Sequence, residues 1–184
     1  MDNDASAKLS AGLGRRPRTE LALYPTTKET ASLLLVAGSV MALSAAWYFQ
    51  LVVGLAPCPL CLDQRIAYYA AIPLGLIAFF LARSDRSGPA RVLLALLGVA
   101  MLANAGLAIY HAGIEWQFWT GPTACTGAPV ATSNVLSALK GARVPRCDEA
   151  AWRMFGLSMA GWNALIALGL AAVGFAGATT GRKA

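Results

Sequence analysis

The amino-acid sequence predicts an all-α membrane protein, a four-transmembrane-helix bundle with both termini cytoplasmic and one long loop on the opposite side. Three observations support this fold class. The 184 residues are 57% hydrophobic and only 13% charged, whereas charged residues make up about a quarter of an ordinary soluble domain. Four apolar segments are long enough to cross a hydrocarbon core, which requires about 20 helical residues. Lysine and arginine residues are concentrated at alternate ends of these segments.

The four predicted spans are separated by breaks in the apolar pattern. Pro57 and Pro59 form the first break, between the first and second spans. The polar run RSDRSGPAR at 83–91 forms the second break, between the second and third spans. Two prolines this close together, or a dense run of charges, interrupt a transmembrane helix. The predicted spans are Ala31–Leu55, Leu60–Leu81, Val92–Tyr110 and Phe155–Ala176, with a long loop at about 111–153. They form one domain over 31–178, flanked by cytoplasmic tails at 1–30 and 179–184.

The first apolar segment has a second interpretation as a cleaved signal peptide. The small residues of MALSAA, at 41–46, would suit a cleavage site. We favour a transmembrane span, because the apolar run continues through Leu55 and the polar leader of about 30 residues is longer than an ordinary signal-peptide n-region.

The orientation follows from the cations, because lysine and arginine near helix ends are retained in the cytoplasm. The lysines and arginines that place the termini and the middle loop on the cytoplasmic side are Lys8, Arg15, Arg16, Arg18, Lys28, Arg83, Arg86, Arg91, Arg182 and Lys183. The bias is incomplete, since the long loop carries Lys140, Arg143, Arg146 and Arg153. The net charge of +6 is explained by this topology, so we expect a lipid bilayer and no nucleic acid as partner.

All four cysteines fall on the non-cytoplasmic side in this topology. Cys58 and Cys61 lie in the short turn, and Cys125 and Cys147 lie in the long loop. An even number of cysteines in an oxidising compartment favours disulfides. A CxxC pair alone also occurs in zinc sites and thioredoxin-like redox centres.

The context of the CxxC pair favours redox chemistry. Pro59 suits the first position of the second helix, which places Cys58 near the N-cap and Cys61 in the first turn. Residues three apart at a helix start face the same side, so the two thiols can close a disulfide. The positive end of the helix dipole also favours a thiolate in the first turn.

Polar residues follow the CxxC pair towards the membrane. Arg65 lies one helical turn beyond Cys61 on the same face. A guanidinium there needs a partner, either the Cys61 thiolate or the carbonyl oxygen of a bound electron acceptor, unless it snorkels to lipid headgroups. Asp63 and Gln64 are interpreted as interface polarity or packing, or as groups for proton handling or acceptor hydrogen bonding. His111, the only histidine, contributes either packing or a contact with the acceptor.

The second cysteine pair also has two interpretations. A bond from Cys125 to Cys147 would close a loop of about 20 residues, which the chain-entropy model values at about 3 kcal/mol. A purely structural cross-link is therefore the alternative to a redox role. A short helix is predicted at about Ser133–Lys140 within this loop. The aromatic residues that flank the loop are typical of an interfacial belt: Trp116, Phe118, Trp119, Trp152 and Phe155.

Two motifs resemble those of a known family. The stretch PCPLCLDQR at 57–65 resembles the PCxLCxxQR motif of the disulfide bond formation protein B (DsbB) family, and CDEAAWRMFGLSMAGWN at 147–163 is similar to the family's entry into its fourth helix. The resemblance covers about residues 32–178. It implies a thiol:quinone oxidoreductase of the bacterial inner membrane, with ubiquinone or menaquinone as cofactor and a periplasmic thioredoxin-fold oxidase of DsbA type as partner.

The resemblance also implies a role for each cysteine. The partner's thiolate would attack Cys125, whose disulfide partner is Cys147. Cys58 and Cys61 would then take the electrons by thiol exchange, through a bridge between Cys58 and Cys147. Cys61 would face the quinone, and the side chains expected beside the quinone are Arg65, Gln64 and His111. Because DsbA is a strong oxidant, an ordinary stable disulfide could not accept its electrons, so a downstream acceptor is required.

Three other classes of protein share some of these features. A vitamin K epoxide reductase-like enzyme shares the four-helix design, but its CxxC usually lies towards the fourth helix. A membrane metal-binding or sensory protein could use Cys58, Cys61 and His111 as zinc ligands, which leaves Arg65 and the second cysteine pair unexplained. A structural tetraspan would be braced by its loop disulfides. We expect no metal requirement. The sequence does not determine which quinone is used, which DsbA-type protein is the partner, how the cysteines are paired at rest, the oligomeric state or the role of the N-terminal tail.

Overall fold

The computed structural model describes residues 27–84, 86–122, 125 and 146–180. Within them are four long helices and a short antiparallel hairpin: α1 Thr27–Leu51, α2 Pro59–Arg83, α3 Ser87–Glu115, β1 Arg153–Met154, β2 Leu157–Ser158 and α4 Met159–Thr179. All four helices are long and apolar enough to cross a membrane. The predicted all-α membrane fold with four spans is confirmed.

Some predictions concern residues outside this description. They are most of the N-terminal tail, residues 181–184 and the short helix at about Ser133–Lys140. The domain boundaries at 31 and 178 therefore stay predictions.

The helices form a closed ring in which each helix packs against two neighbours. Sequential helices are adjacent, and α1 also packs against α4. The interior is filled by small and aliphatic side chains, among them Leu35, Ala71, Leu94, Met101 and Ala171. Large apolar side chains point outward along the same helices, including Met41, Ile66, Phe80 and Leu96. Such a surface suits lipid, in which a helix satisfies its own backbone hydrogen bonds.

The helix ends differ from the predicted spans by one to five residues, for local reasons. The first helix ends at Leu51, and Gly54 takes a positive φ of 79° in the turn that leads to α2. The fourth begins at Met159 instead of Phe155, because Phe155 and Gly156, with φ of 52° and 82°, form the turn of the hairpin. Hydropathy does not detect these turns, since their residues are as apolar as the helices they interrupt.

Candidate redox site

The CxxC pair lies at the start of α2, as predicted. Cys58 is the N-cap residue, and its Sγ accepts a hydrogen bond of 3.3 Å from the backbone N–H of Cys61. Pro59 occupies the first turn, where a missing N–H costs nothing. Both cysteines are free, and their Sγ atoms are 2.6 Å apart. The pair can therefore close a disulfide with little movement of the backbone.

Cys58 is the more deeply buried of the two thiols. The hydrogen bond with Cys61, together with burial, raises the pKa of the Cys58 thiol above its usual range. Burial disfavours a charged sulfur. Cys58 is therefore held as the protonated member of the pair while both cysteines are reduced.

The second pair forms a disulfide between Cys125 and Cys147, with Cα atoms 4.9 Å apart. Both residues are buried, and the backbone N–H of Cys147 donates to the carbonyl oxygen of Cys125 at 2.9 Å. They share one buried cluster with Cys58 and with Leu60 and Ile114. The structure thus brings together cysteines that lie on separate segments of the chain, and it shows the Cys125–Cys147 pairing that the resemblance implies.

His111 joins this cluster from the last turn of α3. Its Nε2 atom is 3.6 Å from Cys58 Sγ. On the other side of the ring, Nδ1 is 3.0 Å from the side-chain Nε2 of Gln64. In this arrangement Nδ1 accepts from Gln64, so a neutral imidazole carries its proton on Nε2 and directs it at the Cys58 sulfur.

Gln64 connects His111 to α4. Its Oε1 atom accepts a hydrogen bond of 2.7 Å from Asn163 Nδ2, and the Tyr68 hydroxyl donates to Asn163 Oδ1. A continuous series of side-chain contacts therefore runs from Cys58 to the middle of the bundle. Sequence reasoning identified Gln64 and His111 as candidates but missed Tyr68 and Asn163, whose partners are distant along the chain.

Arg65 is buried between helices. Its NH1 group donates a 2.7 Å hydrogen bond to Gln50 Oε1, and its guanidinium lies over the Trp47 ring, 5.5 Å from the centroid. Both contacts come from α1, and a cation over an indole is a favourable arrangement. The side chain is held inside the bundle, which favours the functional interpretation over snorkelling. Asp63, in the same turn, is exposed, as expected for interface polarity.

Glu115 is a buried acidic residue that sequence reasoning did not identify. It ends α3 one turn after His111, and its Oε1 is 3.9 Å from His111 Nε2. Its other oxygen, Oε2, is buried and has no hydrogen-bond partner among the described residues. Ser158 and Arg153 lie near the carboxyl group. The spacing of four residues from His111 at a helix end is the signal that could have revealed it.

A cavity of about 170 Å³ opens beside the cluster, between α1, α2 and α4. Most of its wall is apolar, formed by residues such as Ala42, Phe49 and Ile166. Its polar lining consists of Cys61, Gln64, Arg65, Tyr68, His111 and Asn163. Mostly apolar walls with a few polar groups are characteristic of a small-molecule site. The cavity meets the reactive pair at Cys61.

Comparisons with known proteins agree with the motifs. The family model described as disulfide bond formation protein DsbB matches residues 28–177. Disulfide bond formation protein B of Marinobacter nauticus is 37% identical over 146 residues, covering 70% of this chain and 81% of the relative. The protein of the same name from Saccharophagus degradans is 32% identical over 156 residues, covering 81% and 91%. That of Stutzerimonas stutzeri is 31% identical over 151 residues, covering 74% and 85%. No solved structure matches the chain significantly.

Proposed function

The chain belongs to the disulfide bond formation protein B family and is a thiol oxidoreductase, and from this premise we propose that it oxidises a periplasmic DsbA-type dithiol oxidase and passes the electrons to membrane quinone. The observation that carries the proposal is the meeting of both cysteine pairs in one buried cluster beside a cavity lined by Cys61 and Arg65. Electrons can then pass between the pairs by thiol exchange, without a mobile carrier.

The relay begins at the second pair. A thiolate of the partner attacks Cys125 Sγ, the bond between Cys125 and Cys147 breaks, and Cys147 leaves as a thiolate. The product is a mixed disulfide between the partner and Cys125. Cys147 is then placed to react with Cys58, because their sulfurs lie within 4.8 Å of each other.

The second exchange moves oxidising equivalents from the CxxC pair. The Cys147 thiolate attacks Cys58 of an oxidised CxxC pair, so a Cys58–Cys147 bond forms and Cys61 leaves as a thiolate. The partner's second thiolate resolves the mixed disulfide and releases Cys125. Cys125 then attacks Cys147, which restores the second disulfide and releases Cys58. The structure corresponds to the state after these steps, with Cys125–Cys147 bonded and the CxxC pair free.

His111 serves the departure of Cys58. Cys58 leaves Cys147 as a buried thiolate, which is costly without a hydrogen bond. The His111 Nε2–H, 3.6 Å away, is directed at this sulfur and can donate a hydrogen bond to it. The Glu115 carboxyl group lies 3.9 Å from the same nitrogen.

The cavity residues fit a quinone head group. Apolar side chains such as Phe49 and Ile166 can cover the faces of a flat ring, and Arg65 can donate to a carbonyl oxygen. A bound quinone supplies a two-electron, two-proton acceptor, so oxidation of the Cys58–Cys61 dithiol yields a disulfide and hydroquinone. Arg65 also lowers the cost of negative charge on the Cys61 side of the cavity.

The proposal places the protein in the bacterial inner membrane, with the cysteines on the periplasmic side. The distribution of lysine and arginine supports this orientation. Cys58, the end of α3 and Cys147 all lie at the same end of the bundle. Both cysteine pairs would therefore be accessible from the compartment in which disulfides form.

The test is quinone reduction by the purified full-length protein, followed by absorbance, with a reduced DsbA-type protein as donor. We expect multiple turnovers with ubiquinone or menaquinone. Cys61→Ser should abolish quinone reduction. Cys125→Ser should abolish oxidation of the partner while leaving Cys61 able to react with quinone.

The same assay can contradict the proposal. Normal turnover in Cys125→Ser would overturn the order of the relay. Absence of turnover with either quinone, in protein shown by circular dichroism to be folded, would overturn the proposed function.

A further inference from the structure

Three potential metal ligands converge at the redox site from three parts of the chain. The ligand atoms of Cys58, His111 and Cys147 all lie within 4.8 Å of one another, and all three residues are buried. Cys61 Sγ is 2.6 Å from Cys58 Sγ but is not among these convergent atoms. Two sulfurs and one imidazole, with a water in the fourth position, are a known ligand set of Zn²⁺ in proteins.

The spacing suits a single tetrahedral ion. With Zn–S of about 2.3 Å and Zn–N of about 2.0 Å, ligand atoms around one zinc are separated by roughly 3.5 to 3.8 Å. The separation of Cys58 Sγ and His111 Nε2 is 3.6 Å. Gln64 holds the opposite ring nitrogen, Nδ1, at 3.0 Å. Coordination through Nε2 requires the ring proton to move to Nδ1 and the Gln64 amide group to turn over, so that its oxygen accepts that proton. An acceptor on the second ring nitrogen orients metal-binding histidines.

The redox state controls how many of these ligands are available. Cys147 is bonded to Cys125 in the structure, and zinc binds thiolates, which a disulfide does not offer. Reduction of that bond releases Cys147 without moving it from the cluster. Cys125 is released as well, but it is not among the convergent ligand atoms.

We propose that the fully reduced protein binds one soft divalent cation of the Zn²⁺ type through Cys58, Cys147 and His111, and that either disulfide prevents complete coordination. Binding is not a redox step, since two thiols lose their protons and form bonds to the ion, and no electron is transferred. The two thiolates balance the charge of the ion, which favours binding at a buried site. The metal is not required for the thiol relay; it would hold two of the relay sulfurs out of exchange.

The test uses Co²⁺ as the probe, because tetrahedral thiolate coordination of this ion produces visible absorption. Full-length protein in detergent is reduced with a phosphine without oxygen and titrated with Co²⁺. We expect one Co²⁺ per chain in reduced protein, displacement by Zn²⁺, and no such absorption in oxidised protein. Equal binding by oxidised protein, or no tetrahedral absorption in reduced protein, would overturn the proposal.

Two classes of variant identify the ligands in the reduced protein. Cys147→Ser and His111→Gln should each weaken binding by about 100-fold or more, since each removes a direct ligand. Cys125→Ser is the matched control and should bind Co²⁺ like the wild type, because it removes a cysteine of the same loop that is not a ligand. If Cys147→Ser fails to fold, His111→Gln decides between the outcomes. Equal loss in Cys125→Ser and His111→Gln, or undiminished binding in His111→Gln, would refute this ligand set.

Metal binding does not depend on the proposed function, whereas its inhibitory effect does. The two proposals therefore fail separately. Cobalt binding without quinone turnover would leave the metal site and remove the relay. Turnover without cobalt binding would leave the relay and remove the metal site.

Discussion

Arg65 carries its charge into the bundle, one helical turn from the reactive pair. Its partners are neutral: the amide oxygen of Gln50 at 2.7 Å and the indole ring of Trp47. Neither partner cancels the positive charge, so the guanidinium can still attract developing negative charge at the cavity. The α1 contacts hold it in place, which avoids the reorganisation that a mobile side chain would require.

We expect Arg65→Ala to raise the apparent KM for quinone by about tenfold or more, because the variant loses one hydrogen bond from a charged donor. A tenfold change corresponds to about 1.4 kcal/mol. Steady-state quinone reduction would measure it. Gln50→Ala is the control, because it keeps the charge and removes only the positioning contact, and it should have a smaller effect. An unchanged KM and rate in Arg65→Ala would return this residue to the snorkelling interpretation.

The sequence predicts the reactive residues better than their partners. The spacing PCPLCLDQR places Cys58, Cys61 and Arg65 on one helix face, because neighbours along a helix are fixed by its period. Gln50 and Asn163 are separated from their partners by 15 and 99 positions. No local pattern links such residues, so only the packing of helices could reveal these contacts.

At the scale of helices, α3 and α4 approach each other closely at a point where glycines meet. A Cβ atom added to Gly174 would lie 2.9 Å from the Cα of Gly98 and 3.0 Å from the carbonyl oxygen of Leu94. These are backbone atoms, which cannot turn aside as the end of a side chain can. Small residues allow such close packing between membrane helices, where dispersion contacts replace the hydrophobic effect.

Gly174→Ala should therefore destabilise the bundle by about 1 to 3 kcal/mol, the usual cost of overpacking. Thermal unfolding in detergent, followed by circular dichroism, would measure a lower Tm. Gly169→Ala is a matched control on the same helix, because nothing lies within 4 Å of its added Cβ. A Tm in Gly174→Ala equal to that of the control would show that the helices do not pack at this point.

Helix ends illustrate why hydropathy predicts elements but not their limits. The start of α2 was predictable, because Pro59 and the two cysteines indicate a first turn. The start of α4 was not, because it depends on the hairpin turn at Phe155 and Gly156 and on the side chain of Ser158, which accepts from the Gly161 N–H at 3.2 Å. These features involve conformation and hydrogen bonds that an apolar average does not register.

At the scale of the whole molecule, the bundle brings together cysteines that are far apart in the chain. The turn before α2 supplies Cys58, the end of α3 supplies His111, and the segment before the hairpin supplies Cys147. The helices fix the first two relative to each other. The buried position of Cys147 against them means that exchange between the pairs needs only a small movement of Cys147.

This arrangement predicts a direct disulfide between Cys58 and Cys147. In the double variant Cys61→Ser/Cys125→Ser, mild oxidation should join the two remaining cysteines within one chain, because their sulfurs lie within 4.8 Å of each other. Mass spectrometry of proteolysed protein would identify the linked peptides. The bond spans 89 residues of sequence, from position 58 to position 147, so its rapid formation requires the folded cluster.

The complementary double variant, Cys58→Ser/Cys147→Ser, keeps Cys61 and Cys125 and provides the control. Cys61 faces the cavity, whereas Cys125 is buried on the loop side of the cluster, so this pair should cross-link more slowly. Equal rates in the two variants would mean that the loop exchanges freely over the site. Thiol reactivity, and not the fixed position of Cys58 beside Cys147, would then determine the order of the thiol exchanges.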